Sequence, residues 1–214
     1  NEDTGQMTQL QIKGKNIRSA HGGFLYDNPR WIETDRFQNT ENGLLPQGSC
    51  TVSKEKGNVI VKTVRKGKLC DTDITYTFTP DGTLDIHSQF TPQTDKLRRC
   101  GLVCLLDSTL GNVDYYAYGP YENYPDRKEG CMIGRYATTV DQMEEPYVKP
   151  QSMGNREGVR ELEFKDAQGR GIKIQTEGNV SFSALRYTDQ DLMNTQHAWE
   201  LNKRPYIVLH LDAA

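Results

Sequence analysis

Residues 74–90 read ITYTFTPDGTLDIHSQF, and this segment carries the clearest signal of the fold class. Apolar side chains alternate with polar ones through Ile74, Tyr76 and Phe78, and again from Leu84 onward. The connecting Pro-Asp-Gly suits a tight turn, because proline presets φ and glycine accepts a positive φ. The segment therefore predicts a β-hairpin.

The same two-residue period recurs along most of the chain. It predicts strands at 59–63, 102–106, 113–118, 180–185 and 206–211, and a second hairpin around 168–171. Helix signals are few: Thr188 with Asp191 resembles an N-terminal cap, and 141–145 predicts a short turn before Pro146. We expect an all-β sandwich with one or two short helices, continuous over residues 1–214 as a single domain.

Composition excludes several classes of function. The 214 residues include 26 Lys and Arg against 29 Asp and Glu, a net charge of −3. We expect no nucleic-acid partner, since phosphate binding needs a clustered positive field. No apolar run approaches the roughly 18 residues of a membrane span, so we expect no membrane partner. The five cysteines include no CxxC pair and favour free thiols over a disulfide framework.

Residues 118–127, YGPYENYPDR, concentrate groups that suit carbohydrate recognition. Three tyrosines, two carboxylates, an amide and a guanidinium lie within ten residues. The faces of tyrosine rings can pack on the apolar faces of sugar rings, and carboxylate and guanidinium groups can form paired hydrogen bonds with the rigidly placed hydroxyls. The alternative is a self-satisfying loop, in which Asp126 and Arg127 pair with each other or with backbone. Both interpretations remain open from the residues alone.

Other polar residues give weaker signals. Arg160 and Glu161 point to opposite faces of a strand, so one of them faces inward and is expected to join a structural ion pair. His210 and Asp212 share a strand face, but no third ligand appears at a suitable spacing, so we expect no metal site. Nothing among the 29 acids singles out the pair of carboxylates that glycoside hydrolysis needs.

Three motifs in the second half of the chain point to a known family. The first is YGPYENYPDR, which resembles the pattern GPxENYPDR. The second consists of PYVKPQ at 146–151, GNR at 154–156 and VREL at 159–162, which together resemble PYxxPQExGNRxxVR. The third is FSALRYT at 182–188, followed by His197, which resembles SxxRYSxxxLxxxxH. These patterns belong to the C-terminal domain (small chain, domain 5) of LacZ-type β-galactosidases of glycoside hydrolase family 2. The match covers roughly residues 100–212, and the first hundred residues match loosely.

This resemblance implies a galactose-mutarotase-like β-supersandwich that packs beside a catalytic barrel of the same polypeptide. The barrel would carry the two glutamates of a retaining mechanism acting on β-galactosides such as lactose, so we expect no catalytic residue in this chain. The chain would then be a fragment that lacks the barrel and the terminal GGDDSW hairpin. The resemblance also implies a bacterial homo-oligomer, cytoplasmic or periplasmic, with Mg²⁺ and Na⁺ bound outside this chain and no cofactor within it. The candidate substrate-binding or pocket-wall residues are Tyr121, Glu122, Asn123, Tyr124, Asp126, Arg127, Arg160 and His197.

Two other functions compete with a pocket-wall domain. A mutarotase-like aldose 1-epimerase needs a general base and a general acid across the sugar ring, for which His197 or His210 with Glu122 or Glu161 are candidates. A free-standing galactose-binding module would use stacking aromatic rings, and the candidates are Tyr116, Tyr121, Tyr124 and Trp31.

Overall fold

The computed structural model describes residues 7, 9–12, 15–16, 23–30, 32 and 48–213. Most regular structure in these residues is antiparallel strand. The strands are β1 Gln11–Ile12, β2 Lys15–Asn16, β3 Leu25–Asp27, β4 Gly48–Glu55, β5 Asn58–Arg65, β6 Cys70–Phe78, β7 Leu84–Pro92, β8 Gly101–Asp107, β9 Asn112–Gly119, β10 Met132–Thr139, β11 Arg156–Lys165, β12 Gly171–Leu185 and β13 Tyr206–Asp212. One α-helix, α1 Asp189–Asn194, and 3-10 turns at Val140–Met143 and Ala198–Glu200 complete the described part.

The predicted hairpin forms β6 and β7, the last two strands of a four-stranded sheet with the order β4-β5-β6-β7. Phe78 pairs with Leu84, and Thr79 N donates to Thr83 O at 3.0 Å across the turn. Gly82 lies at φ +89°, the left-handed conformation that the Pro-Asp-Gly sequence predicts. The hairpin prediction is therefore confirmed.

A larger sheet has seven strands in the order β10-β9-β11-β12-β13-β8-β3. The second predicted hairpin joins β11 to β12, where Asp166 N donates to Arg170 O at 2.9 Å. The sequence predicted separate strands around 172–174 and 180–185, but β12 runs through both. The pairing of β11 with β12 contains bulges, which keep β12 in the sheet along its length. They are marked by register shifts between Arg156 and Glu161 and by the positive φ of Gly178.

The two sheets share one apolar core, so the predicted all-β sandwich is confirmed. Ile74 and Tyr76 of β6 pack in the same buried cluster as Leu106, Phe164 and Phe182 of the larger sheet. A polar contact supports this junction, since the Tyr76 hydroxyl donates to the carbonyl of Phe24 at 2.8 Å. A smaller cluster lies under the helix and contains Met153, Leu185, Tyr187 and Leu192.

The predicted cap is also present, because Thr188 and Asp191 form reciprocal side-chain-to-backbone hydrogen bonds around the first turn of α1. No helix in the described part of the chain has the length and apolar character that crossing a bilayer requires.

Candidate functional site

The polar segment 118–127 is a compact loop between β9 and β10. The Tyr115 hydroxyl donates to Pro120 O at 3.1 Å where the loop leaves the sheet. Further on, Tyr124 and Arg127 exchange backbone hydrogen bonds of 3.1 and 2.9 Å. These bonds close a tight turn that leaves Asp126 exposed at its tip.

Asn123 holds the loop from inside and is fully buried. Its amide nitrogen donates to the carbonyls of Tyr118 and Tyr121 at 3.2 and 2.9 Å. Its side-chain oxygen accepts from Glu157 N at 2.8 Å, and its backbone N–H donates to Asn155 O at 2.9 Å. This residue therefore fixes the backbone of the loop and offers nothing to solvent.

Glu122 is the second internal anchor, with a side chain only 7% exposed. Its carboxylate accepts hydrogen bonds from Arg127 and from the Tyr147 hydroxyl. It also accepts from Gly154 N at 2.9 Å and from the Tyr124 hydroxyl at 3.3 Å. Gly154 lies at φ +77°, and a Cβ there would meet a backbone carbonyl at 2.7 Å, so this donor position requires glycine. These four donors together occupy the hydrogen-bond acceptor positions of the Glu122 carboxylate.

Tyr124 lies between two cations. The guanidinium carbons of Arg30 and Arg127 are 4.9 and 5.1 Å from its ring centroid. Burial, reinforced by the Glu122 carboxylate, raises the pKa of the Tyr124 phenol. The ring is therefore neutral. It connects the loop to Arg30, in the segment after β3, and its hydroxyl lies 3.4 Å from Ser152 O, in the segment before β11.

Three of the predicted site residues remain accessible. Tyr121 is 71% exposed, the Arg127 side chain is 57% exposed, and Asp126 is also exposed. We call these three residues the exposed edge of the loop. It presents one aromatic face, one carboxylate and one guanidinium, the combination that the sequence singled out for sugars.

The structure does not group Arg160 with the loop. Its guanidinium donates to Gly158 O at 2.6 Å and lies 5.6 Å from the Tyr116 ring, over which Arg135 also stacks at 4.8 Å. The neighbouring Glu161 forms the predicted ion pair, although it is only partly buried: Arg135 and Lys173 each bind it at 3.0 Å. Hydrogen bonds from Arg135 and then Lys173 lower the pKa of Glu161 to about 2.

His197 lies in another polar group. Its Nδ1 is 3.2 Å from a Glu200 oxygen, and its ring stacks on that of Trp199 at 4.3 Å between centroids. Trp199 is 77% exposed. Of the other residues that the sequence brought forward, Trp31 lies outside the described residues.

A buried cluster that sequence reasoning missed surrounds His210. Its Nε2 is 3.2 Å from Asp189 Oδ2, and its Nδ1 is 3.5 Å from Asp27 Oδ2. One donor atom from each of these three residues lies within 4.8 Å of the others. The sequence paired His210 with Asp212 and offered no third ligand at a suitable spacing; the group with ligand geometry instead joins His210 to Asp27 and Asp189. Asp27 and Asp189 come from β3 and the first turn of α1, so no local spacing in the sequence reveals them.

Arg99 is the cation of this cluster. It binds Asp189 at 3.3 Å, Asp212 at 3.0 Å and the carbonyl of Pro29 at 2.8 Å. Burial raises the pKa of Asp27 to about 7, against the opposing effect of His210. Burial acts in the same direction on Asp189, but Arg99 and His210 outweigh it and hold the pKa of that carboxyl below its usual range.

Comparison with known proteins identifies the family. The family model described as the β-galactosidase small chain matches residues 1–214, the whole chain. The chain belongs to the β-galactosidase small-chain family. Its resemblance to β-galactosidases, first seen in the loop motif, is therefore confirmed.

Individual relatives of this small-chain domain are bacterial β-galactosidases. The chain is 32% identical to that of Lactobacillus delbrueckii subsp. bulgaricus over 200 residues, which cover 89% of the chain and 19% of the relative. It is 36% identical to that of Streptococcus thermophilus over 104 residues, covering 48% and 10%. It is 36% identical to that of Enterobacter cloacae over 129 residues, covering 60% and 12%. The chain thus spans between a tenth and a fifth of the length of these relatives.

Proposed function

We propose that this chain forms a wall of the galactoside pocket in a bacterial β-galactosidase and contributes no catalytic residue. The parent would hydrolyse terminal β-D-galactosyl residues with retention, using two glutamates of a catalytic barrel outside residues 1–214. Family membership and the small share of each relative that the chain covers support this division of labour.

The observation that carries the proposal is the division within the loop 118–127. The polar side-chain groups of its interior residues Glu122, Asn123 and Tyr124 form hydrogen bonds with backbone groups of the protein. Its exposed edge is held on this rigid base, and pre-positioned groups bind a ligand at a lower entropic cost. We assign substrate contact to the exposed edge and positioning to the interior, and Arg127 has a part in both because its guanidinium also donates to Glu122.

Glu122 and Glu161, the carboxylates that the sequence put forward, fit this assignment better than a catalytic one. Retaining hydrolysis uses two carboxyl groups about 5–5.5 Å apart, one of them protonated as the general acid. Glu122 is occupied by protein donors, and Glu161 belongs to a separate ion-pair network with a lowered pKa. Mg²⁺ and Na⁺ of the parent, and its homo-oligomeric contacts, are proposed to involve residues outside this chain.

An NMR experiment separates the proposal from its two alternatives. The chain is incubated with freshly dissolved α-lactose, and the sugar protons are followed over time. The proposal predicts neither galactose release nor anomer exchange faster than the blank, with no line broadening at millimolar sugar. Galactose release would place a catalytic pair in the chain, accelerated exchange would favour the epimerase, and broadening without turnover would favour a free-standing binding module.

A further inference from the structure

The buried cluster around His210 contains a nitrogen acceptor with no donor. His210 is 5% exposed. A carboxylate only accepts, so the contact with Asp189 requires a proton on Nε2, and in the neutral imidazole this leaves a lone pair on Nδ1. That lone pair faces the Asp27 carboxylate at 3.5 Å and receives no hydrogen bond. Two acceptors that face each other inside a protein call for a positive species between them.

The charges of the cluster point the same way. Asp27, Asp189 and Asp212 surround one guanidinium, that of Arg99. With neutral His210 and all three carboxylates ionised, the cluster would have two uncompensated negative charges, and burying such charges is costly. One oxygen, Asp212 Oδ1, is also buried without a hydrogen-bond donor.

We propose that a divalent transition-metal ion of the Zn²⁺ type binds between Asp27 and His210 and neutralises this cluster. Two donors about 2.1 Å from a tetrahedral ion lie about 3.4 Å apart, close to the 3.5 Å that separates Asp27 Oδ2 from His210 Nδ1. An imidazole with carboxylates favours Zn²⁺ or its neighbours over Mg²⁺ and Ca²⁺, which prefer oxygen alone.

Asp189 has the role of orienting the imidazole. A metal-bound histidine usually donates its other N–H to a carboxylate, which fixes the ring and the tautomer. Asp189 accepts from Nε2 and is itself held by Arg99 at 3.3 Å and by the Ser152 hydroxyl at 3.1 Å. The ion would tie β3 to β13. This departs from the expectation of no metal in the chain and is independent of the proposed role in the galactoside pocket.

The test uses the full-length protein that contains this chain. It is stripped with EDTA, loaded with Zn²⁺ and desalted, and retained zinc is measured by inductively coupled plasma mass spectrometry. Affinity is measured by competition with a chromophoric chelator. We expect the wild type to retain one more Zn²⁺ ion per chain than the Asp27→Asn or the His210→Gln variant. Asp189→Asn should bind this ion about 10–100-fold more weakly, and His87→Gln, at an exposed histidine of β7, should match the wild type.

Two readouts keep the result independent of folding defects in the variants. Far-UV circular dichroism with chelator present establishes that each variant is folded. X-ray absorption at the zinc edge of the wild type should include nitrogen and oxygen ligands at the extra site, and not the sulfur that binding at Cys70 and Cys100 would give. A wild type that retains no Zn²⁺, equal retention by Asp27→Asn, or sulfur ligation of the extra ion would overturn the proposal.

Discussion

The loop 118–127 and the cluster around His210 use similar side chains but differ in how well these side chains satisfy one another. In the loop, one carboxylate, Glu122, receives hydrogen bonds from four donors. In the cluster, three carboxylates share one guanidinium, and a buried imidazole nitrogen has no donor. A crowded polar motif can therefore be complete as a structural support. A polar cluster that the sequence does not reveal, but that leaves hydrogen-bond acceptors unpaired, is a better candidate for a ligand site.

Asn123→Ala should produce the largest loss of stability, because Asn123 is the loop's most buried polar anchor. The substitution leaves the Tyr118 and Tyr121 carbonyls and Glu157 N without their partner. We expect the free energy of unfolding to fall by about 3 kcal/mol, measured by urea denaturation. Asn202→Ala removes one bond of an exposed amide and should change it by less than about 0.5 kcal/mol. Equal effects would remove the distinction between the loop interior and the surface.

Glu122→Gln should cost about 2 kcal/mol, since it replaces an ionised acceptor by a neutral amide that cannot satisfy all four donors. Urea denaturation again provides the measurement. The matched control is Glu129→Gln, at an exposed position of the same loop region. A Glu122→Gln protein as stable as this control would contradict the description of the loop as self-satisfied.

Asp27→Asn should raise the free energy of unfolding when a chelator removes metal ions, whereas the two loop substitutions lower it. It deletes one charge from a cluster that has too many carboxylates, and the new amide can donate to His210 Nδ1. We expect the metal-free chain to become more stable by about 1 kcal/mol in thermal or urea denaturation. A loss of stability comparable to that of Glu122→Gln would mean that the cluster is already balanced as it stands.

Asp126→Asn should have the smallest effect on stability, within about 0.5 kcal/mol of the wild type. Asp126 is exposed at the turn closed by Tyr124 and Arg127, and it is assigned to the sugar and not to the fold. Urea denaturation beside Asn123→Ala makes the comparison directly. A large loss here would move Asp126 into the structural interior of the loop.

Local signals in the sequence predicted the local structure well. The hairpin of residues 74–90 and the cap formed by Thr188 and Asp191 depend on residues a few positions apart. Strands β4 and β10 were missed. Both lie at sheet edges. Seven of the eight β4 residues are exposed, so this strand has no buried face for an alternating pattern to reveal.

The candidate sites were predictable only in part. The loop motif predicted a structured polar segment, but which of its residues face inward depends on Asn155, Gly154 and Tyr147, which come from a later part of the chain. The cluster around His210 depends on pairing between distant segments, because β13 pairs with β8 and β8 with β3. Nothing in the spacing of Asp27, Asp189 and His210 indicates that the fold brings them together.

The most direct test of the central claim is the kinetics of lactose hydrolysis by the full-length protein carrying Tyr121→Ala together with Asp126→Asn. We expect a KM about tenfold higher, as follows from the loss of roughly 1.4 kcal/mol of contact with the sugar, and an unfolding midpoint equal to that of the wild type. Wild-type KM and kcat in a correctly folded double variant would contradict the assignment of the exposed edge to the galactoside pocket.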